Sequence, residues 1–493
     1  MSFIYGKFLN NNSEYLILNK IGSSSTLIDR TLFENNYHDS KTPSQIINLS
    51  KLTLTSIEIK NGEKIISNED SLFIKDLSKD IEKNINNLGS IEYLIRNDDA
   101  NDFTFLDELI HENKSKKIIF NEDICFKNYE EDYYEGGIEL DIDDLEIDGN
   151  GHTIDAMENT RIFLISANNV TLKNITFRNG NVFKSYLNSK NNYGGAIRTT
   201  NGVRLTIENC NFEDNKSDNG GAIYLRKSEL YMQNCILSNN SGYSIFNGKG
   251  KVNMDDCELS FSNLYNQRGQ IQIKHSSIEM GQFSMDEIIF NLGGELNIMN
   301  SVFDGFNRGI YNDKGNVKIS DSTLMNCHSQ GDGGAIFNNG FLFVKNSKLN
   351  KNHAEYGGAI FNTEGKSIII NGIFNDNHVK NYSACDNNGY RMNTDFSMGL
   401  SYGGAIHNTE SGQLKVLDSL FSDNTAQFNG GALSSISEVE IENCSFLDNT
   451  ATGYRDDIRG LYRRGMYGAI YVPDEELLKL KNCNFKNNSP SNY

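Results

Sequence analysis

The feature that most constrains this chain is a recurring tetrapeptide. Gly-Gly-Ala-Ile begins at Gly194, Gly220, Gly333, Gly357 and Gly403, Gly-Gly-Ala-Leu at Gly430, and a reduced Gly-Ala-Ile at Gly468. The shortest intervals are 24, 26 and 27 residues, and a period in that range marks a solenoid. Degenerate copies fill the gap between Gly220 and Gly333, so the apolar positions Ile197, Ile223, Ile245, Leu264, Ile289, Ile310, Ile336, Ile360, Ile406, Leu433 and Ile470 align. A second track, typified by LTIENCNF from Leu205, LYMQNCIL from Leu230 and VEIENCSF from Val439, alternates apolar and polar residues with the period of a half-buried strand. Asn, Asp and Gly turns separate these strands. No segment between them is long enough for a helix, which excludes leucine-rich, ankyrin and TPR-like solenoids. Three strands of about four residues per turn fit a parallel β-helix with coils about 4.8 Å apart, so eleven aligned coils extend about 48 Å.

Stacking places equivalent residues of successive coils above one another. The column Tyr224, Phe246, Tyr265, Phe290, Tyr311, Phe337 and Phe361 then forms an aromatic ladder. The next column, Asn247, Asn266, Asn291, Asn312, Asn338, Asn362 and Asn408, forms an amide ladder bonded along the axis. The paired glycines supply either a positive φ or a close approach of coils. Cys210, Cys235, Cys257, Cys444 and Cys483 share one inward slot with Ser276, Ser301, Ser322, Ser347, Gly372 and Ser419. That slot selects small size. The spacing also allows disulfides among Cys210, Cys235 and Cys257, but reduced thiols are the expectation. No Cys-x-x-Cys pair or Cys/His metal spacing occurs. His353, His378 and His407 fall near turns or in ladder positions on separate coils and read as structural, as does His152.

Two segments flank this pattern. Residues 1–101 lack the repeat and read as a mixed α/β segment, with a strand from Leu52 and a helix near 76–88. Residues 102–493 form the β-helix domain, entered through an amphipathic helix near 103–113 that covers the first coil. No capping element follows the last repeat, so the last coil is expected to be open to end-to-end self-association. With 46 basic and 65 acidic residues the net charge is −19, which argues against nucleic acid. No apolar run is long enough to span a bilayer, and the amino terminus does not read as a signal peptide.

The GGA[ILV] signature joined to FxxN (FEDN at Phe212, FNDN at Phe374, FSDN at Phe421, FLDN at Phe446, FKNN at Phe485) resembles the polymorphic outer membrane protein repeat of chlamydiae. LEIDGNGHTIDA from Leu145, RIFLI from Arg161 and VTLKNITFRNG from Val170 resemble the opening coils of adhesin-like proteins of methanogenic archaea. Both resemblances imply a right-handed, pectate-lyase-like parallel β-helix. They also imply a secreted or cell-surface adhesin that binds a glycan or a protein; a cytoplasmic location is the alternative, since neither leader nor anchor is read here.

Polysaccharide lyases and hydrolases share that fold, so the residues must separate adhesin from enzyme. A polygalacturonase-like order of NTD, DD, GHG and RIK elements is not kept: Asn393–Asp395 follows GDGG at Gly331, and the histidine motif lies upstream at Gly151. No catalytic residue is assigned and no cofactor is indicated. The acidic run Asp141, Asp143, Asp144 and Asp148 is the best Ca²⁺ candidate, but alternation places Ile142 inward between outward carboxylates, and a solvated face is expected.

Loop lengths are more informative. From the FxxN aromatic to the next glycine pair the distance is 8 or 9 residues in ordinary coils, but 17 from Phe177 to Gly194, 29 from Phe374 to Gly403 and 22 from Phe446 to Gly468. All three insertions are expected at one corner, the last two about 10 Å apart. The final insertion carries Tyr454, Arg455, Arg459, Tyr462, Arg463 and Arg464, and its neighbour Tyr390, Arg391 and Phe396. Guanidinium forks beside aromatic faces suit anionic glycans and protein hot spots. The competing expectation pairs these arginines with nearby carboxylates such as Asp456 and Asp457.

Overall fold

The computed structural model describes residues 101–493 except 113–115, 128–129, 131–132, 135, 184–191, 281–287, 306, 381–400, 457–460 and 464; before residue 101 it describes only strand backbone. The chain divides into two compact units, 1–105 and 106–493.

The larger unit is a right-handed parallel β-helix. Its coils contribute to three columns of strands. The first begins at Ile138–Leu140 and the second at Lys117–Ile119; together they form one 25-stranded sheet, because Ile310–Ser320 and Ile336–Lys345 each run through both columns. The third, from Ile124–Cys125 to Asn484–Lys486, is a separate 14-stranded sheet. Fourteen coils span about 62 Å along the axis; those before Gly194 are the entrance coils, which lack the tetrapeptide. A short fourth column, from His353–Ala354 to Thr450–Ala451, lines one corner.

Alternation decides what is buried. The aligned residues from Ile197 to Ile470 sit in register in the first column and are fully buried. In the third column the FxxN phenylalanines stack inward: Phe374, Phe421 and Phe446 are fully buried, with ring centroids 4.7 and 4.8 Å apart. Nδ2 of Asn247 donates to Oδ1 of Asn266 at 3.0 Å, and the series continues through Asn291, Asn312, Asn338, Asn362 and Asn408 to Ser435. A second ladder, buried up to its last member, comes from the Asn of FxxN and of the Leu-led copy LNKN at Leu349: Asn352 donates to Asn377, then Asn424, Asn449 and Asn488, each at 2.9 or 3.0 Å.

The two glycines of each pair do different jobs. The first takes a positive φ, +58° at Gly357, where most side chains are strained. The second touches the next coil: a Cβ on Gly358 would lie 2.2 Å from the carbonyl oxygen of Gly404. Thiols Cys210, Cys235, Cys257 and Cys444 are free and buried, and burial pushes Cys210 and Cys444 up to about 12.

The helix Phe103–Glu112 forms where expected; Asp102 caps it by accepting from the Phe105 amide at 2.8 Å, and Leu106 and Ile110 are fully buried. The first unit departs from the mixed α/β expectation. All its described residues before 101 lie in strands, and the strand pairings are parallel. Phe3, Ile28, Leu54, Ile74 and Tyr93 align in one column, Phe8, Phe33 and Ile59 in a second, and Ile17, Ile46, Ile66 and Ile85 in a third. Residues 76–77 and 85–87, expected in a helix, are in strands; residues 78–84 lie outside the described residues. Ladder pairing with adjacent coils overrides a local 3.6-residue spacing of Leu and Ile.

Candidate functional site

Each coil turns from the third column through one residue of positive φ, such as Asp376 at +53°, into the inward Asn of FxxN. It then passes the short fourth column and reaches the glycine pair. All three insertions leave between the fourth column and that pair, rooted at Phe183 and Tyr193, at Lys380 and Ser401, and at Thr452 and Gly465. Bridges from Tyr402 to Asn429 and from Asn429 to Met466 place the last two roots two coils apart. The common corner follows from the register.

Of the residues singled out in the sequence, Tyr454, Arg455, Tyr462 and Arg463 lie on a two-stranded antiparallel hairpin in which Tyr454 opposes Arg463 and Arg455 opposes Tyr462. Each strand places one aromatic next to one basic position, with Asp456 opposite Leu461 as the third pair. Arg459, Arg464, Tyr390, Arg391 and Phe396 lie outside the described residues.

Sequence reasoning missed the side chains at the insertion roots. The outward aromatic ladder is regular from Tyr224 to Phe361, with centroids 4.6 to 5.4 Å apart and planes within 18°. Rings stacked this way cover one another's faces and present only edges to solvent. The order breaks at His407, tilted 30° from Phe361 and 47° from Tyr356, with Tyr402 5.9 Å away. Tyr402 also stacks on Tyr471 at 5.8 Å and meets Phe428 edge-on at 5.6 Å. His407 is buried, which drives its imidazole down to about 4. Its Nδ1 and the Oγ of Ser434, its neighbour in register, are both covered and unpartnered in this structure.

Beside this cluster runs a row of charged and polar groups. The rings of His328 and His353 stack at 4.8 Å and those of His353 and His378 lie 4.1 Å apart, tilted by 32°, so His353 and His378, read as structural on separate coils, belong to one row. Burial, then the neighbouring imidazoles, takes His353 down to about 3. Arg308 lies over Tyr311 and Phe337 at 5.4 and 5.6 Å and donates to the Asp332 carbonyl and the Ser329 hydroxyl. Burial raises the Asp332 carboxyl to about 6 against the pull of Arg308, with Glu355 adding to the rise. The signal for this group was Asp332 replacing Tyr or Asn before Gly-Gly.

The acidic run of the entrance coils is dispersed among separate partners. Asp143 accepts from the Asn168 amide, Asp144 from Asn169 and Lys116, and Asp148 from Asn150 and Asn174, while Asp141 lies 3.3 Å from His111. Ile142 is half-exposed, correcting the inward placement: it lies outside the strands, just before the turn at Asp143 and Asp144, where strand alternation does not apply. His152 reaches Asp123 at 3.3 Å. Among the described residues one trio of possible metal ligands converges, Asp255, Asp256 and His275, and His275 already bonds Asp255 at 2.7 Å.

Residues 99–218 match the family described as "Putative pectate lyase-like adhesive domain". No curated protein matches by sequence. Among solved structures, the catalytic domain of a GH87 alpha-1,3-glucanase in complex with nigerose is 11% identical over 83% of this chain and 70% of that chain, with a TM-score of 0.37. A PL6 alginate lyase complex with trisaccharide is 10% identical over 80% and 86%, at 0.28. A complex of the alginate lyase AlyF-OU02 with G6 is 11% identical over 78% and 94%, at 0.29. No helix among the described residues is long and apolar enough to cross a membrane. Residues 99–218 are therefore similar to a pectate-lyase-like adhesive domain, within a chain folded as a parallel β-helix.

Proposed function

We propose that this chain is a non-catalytic, adhesin-like protein of the cell exterior whose β-helix presents edge loops to a surface glycan or protein. The observation that carries this reading is the shared corner of the three insertions. A scaffold that repeats one turn and lengthens it selectively concentrates variable chain on one edge, where solenoids place recognition. The adhesive-domain match over 99–218 supports it. The alternating hairpin pairs of Tyr454 with Arg463 and Arg455 with Tyr462 give that edge a basic, aromatic character on an acidic protein. Replacing Arg455, Arg459, Arg463 and Arg464 with Ser should abolish binding on an array of carboxylated and sulfated glycans with the melting temperature unchanged. Retained binding overturns the loop assignment.

The half-buried Asp332, held near pKa 6 beside Arg308 and Glu355, favours a second reading as a polysaccharide-active enzyme, because a carboxyl that keeps its proton up to about pH 6 can act as a general acid in mildly acidic solution. Reducing-end and unsaturated-product assays on uronate and neutral polymers, with and without Ca²⁺, separate the two. Turnover lost on Asp332→Asn replaces the adhesin reading with the enzymatic one.

A further inference from the structure

The outward face of the second column changes character along the axis. Near its start and its end, outward charges are paired, Arg204 with Glu229 at 3.4 Å and Lys415 with Glu440 at 2.7 Å. Between these, amides are interspersed with charged and aromatic side chains. Asn253, Gln272 and Asn297 follow one another in register, then Lys318 and Phe343; in the adjoining row Gln270, Glu295 and Asn316 lead to Phe341. An outward strand position on a folded solenoid needs only a β-compatible side chain. A run of amides held at the coil spacing is instead a regular array of donors and acceptors. The Nδ2 of Asn253 is covered and has no hydrogen-bond partner in this structure.

The face is also grooved. One groove of about 220 Å³ is lined by Glu295, Asn297, Asn316, Lys318 and Phe341. A second of about 350 Å³ is lined by Lys366, Gln413, Lys415, Glu438 and Glu440 over a floor of Ser367 and Leu414. Phe341 pairs directly with Lys366, so the second groove starts on the coil after the one where the first ends. Together they cross six successive coils, a trough about 24 Å long at the usual strand spacing.

We infer that this trough binds a neutral oligosaccharide or polysaccharide chain laid along the β-helix axis. The charge pattern selects the class: the first groove holds one Glu and one Lys, the second two of each. Neither has the net positive charge that would offset the desolvation of a uronate or sulfate. Sugar hydroxyls both donate and accept, and the carboxamides of Asn297 and Asn316 do the same. The Phe341 ring adds an apolar surface for the C–H face of a pyranose. The trough lies on a different column from the insertion corner, and its proposed ligand differs in charge, so it goes beyond the corner reading and does not depend on it.

Affinity electrophoresis of the full chain through gels containing dextran, mannan or mixed-linkage glucan, with polygalacturonate as the charged comparator, tests this. Retardation by at least one neutral polymer is expected, unchanged by added salt because no ion pair forms. The triple variant Asn297→Ala, Asn316→Ala, Phe341→Ala should weaken it at least about tenfold. Asn316→Trp, which fills the groove from an exposed position, should do the same and guards against a triple variant that folds poorly. The inference is overturned by no retardation in any neutral polymer, by retardation that survives Asn316→Trp, or by retardation in polygalacturonate alone. The Arg-to-Ser loop variant should bind the neutral polymer as the parent does, so the corner and the trough fail separately.

Discussion

Nδ2 of Asn338 donates to Oδ1 of Asn362 at 2.8 Å, while its own Oδ1 accepts from Asn312 at 2.7 Å. Asn338 is fully buried at the midpoint of a ladder that ends on Ser435. Asn338→Leu removes one ladder bond each from the Nδ2 of Asn312 and the Oδ1 of Asn362, which keep the Gly315 carbonyl and the Ser367 hydroxyl as partners. Each lost hydrogen bond is worth about 0.5–1.5 kcal/mol, so a loss of about 1–3 kcal/mol is expected from urea denaturation. An unchanged midpoint would show that the ladder is bystander geometry.

Glycine substitutions should sort by coil contact. Gly358→Ala puts a Cβ 2.2 Å from the Gly404 carbonyl oxygen, whereas at Gly331 the nearest atom is 3.7 Å away. Gly358→Ala is expected to cost about 4 kcal/mol or more and to reduce soluble yield sharply. Gly331→Ala should stay within about 0.5 kcal/mol. Comparable melting temperatures for the two would contradict the packing role of the second glycine.

Alkylation should separate the cysteines by burial. With their thiols pushed up to about 12, Cys210, Cys327 and Cys444 carry almost no thiolate at pH 9. Mass spectrometry after iodoacetamide treatment should find these three unmodified until the chain is unfolded. Cys210→Ser should be tolerated, because Ser276, Ser301 and Ser322 fill the same slot by bonding the carbonyl two residues back at 2.6 to 2.8 Å. Rapid labelling of native Cys210 would refute its enclosure.

His407 supplies a pH dependence of known sign. Its imidazole falls from 6.5 to about 4 on burial, so the unfolded chain binds the proton more readily. Its stabilising contribution is complete above pH 6.5 and is lost as the pH falls toward 4. At pH 5 the loss is about 2 kcal/mol, which shifts the melting temperature of a chain this long by about 1 °C per kcal/mol. His407→Phe, which restores an aromatic to the ladder, should flatten the profile between pH 7 and pH 5. An identical profile in parent and variant would remove His407 as the cause.

The coil, its register and one Asn ladder were legible because identical residues recur at one column. The second ladder was written in the same motif, yet Asn352 and Asn377 lie beyond a turn, where period-two alternation no longer tells inside from outside. The first unit was not legible: Phe3, Ile28, Leu54, Ile74 and Tyr93 form a column without sharing a residue type, since ladder bonding needs only compatible backbone. The insertion corner followed from counting residues. Its chemistry did not, because Arg308 meets Asp332 across a coil boundary, 24 positions along the chain.

Both buried ladders point the same way. From Asn247 to Asn408 and from Asn352 to Asn488, every amide donates toward the coil that follows. The β-helix therefore carries a side-chain polarity that follows the chain direction, with its amide dipoles aligned head to tail. A cut between two coils would leave unpaired N–H donors on the amino-side piece and, on the carboxyl-side piece, amide oxygens such as the Oδ1 of Asn377, which loses both the Nδ2 and the backbone N–H of Asn352.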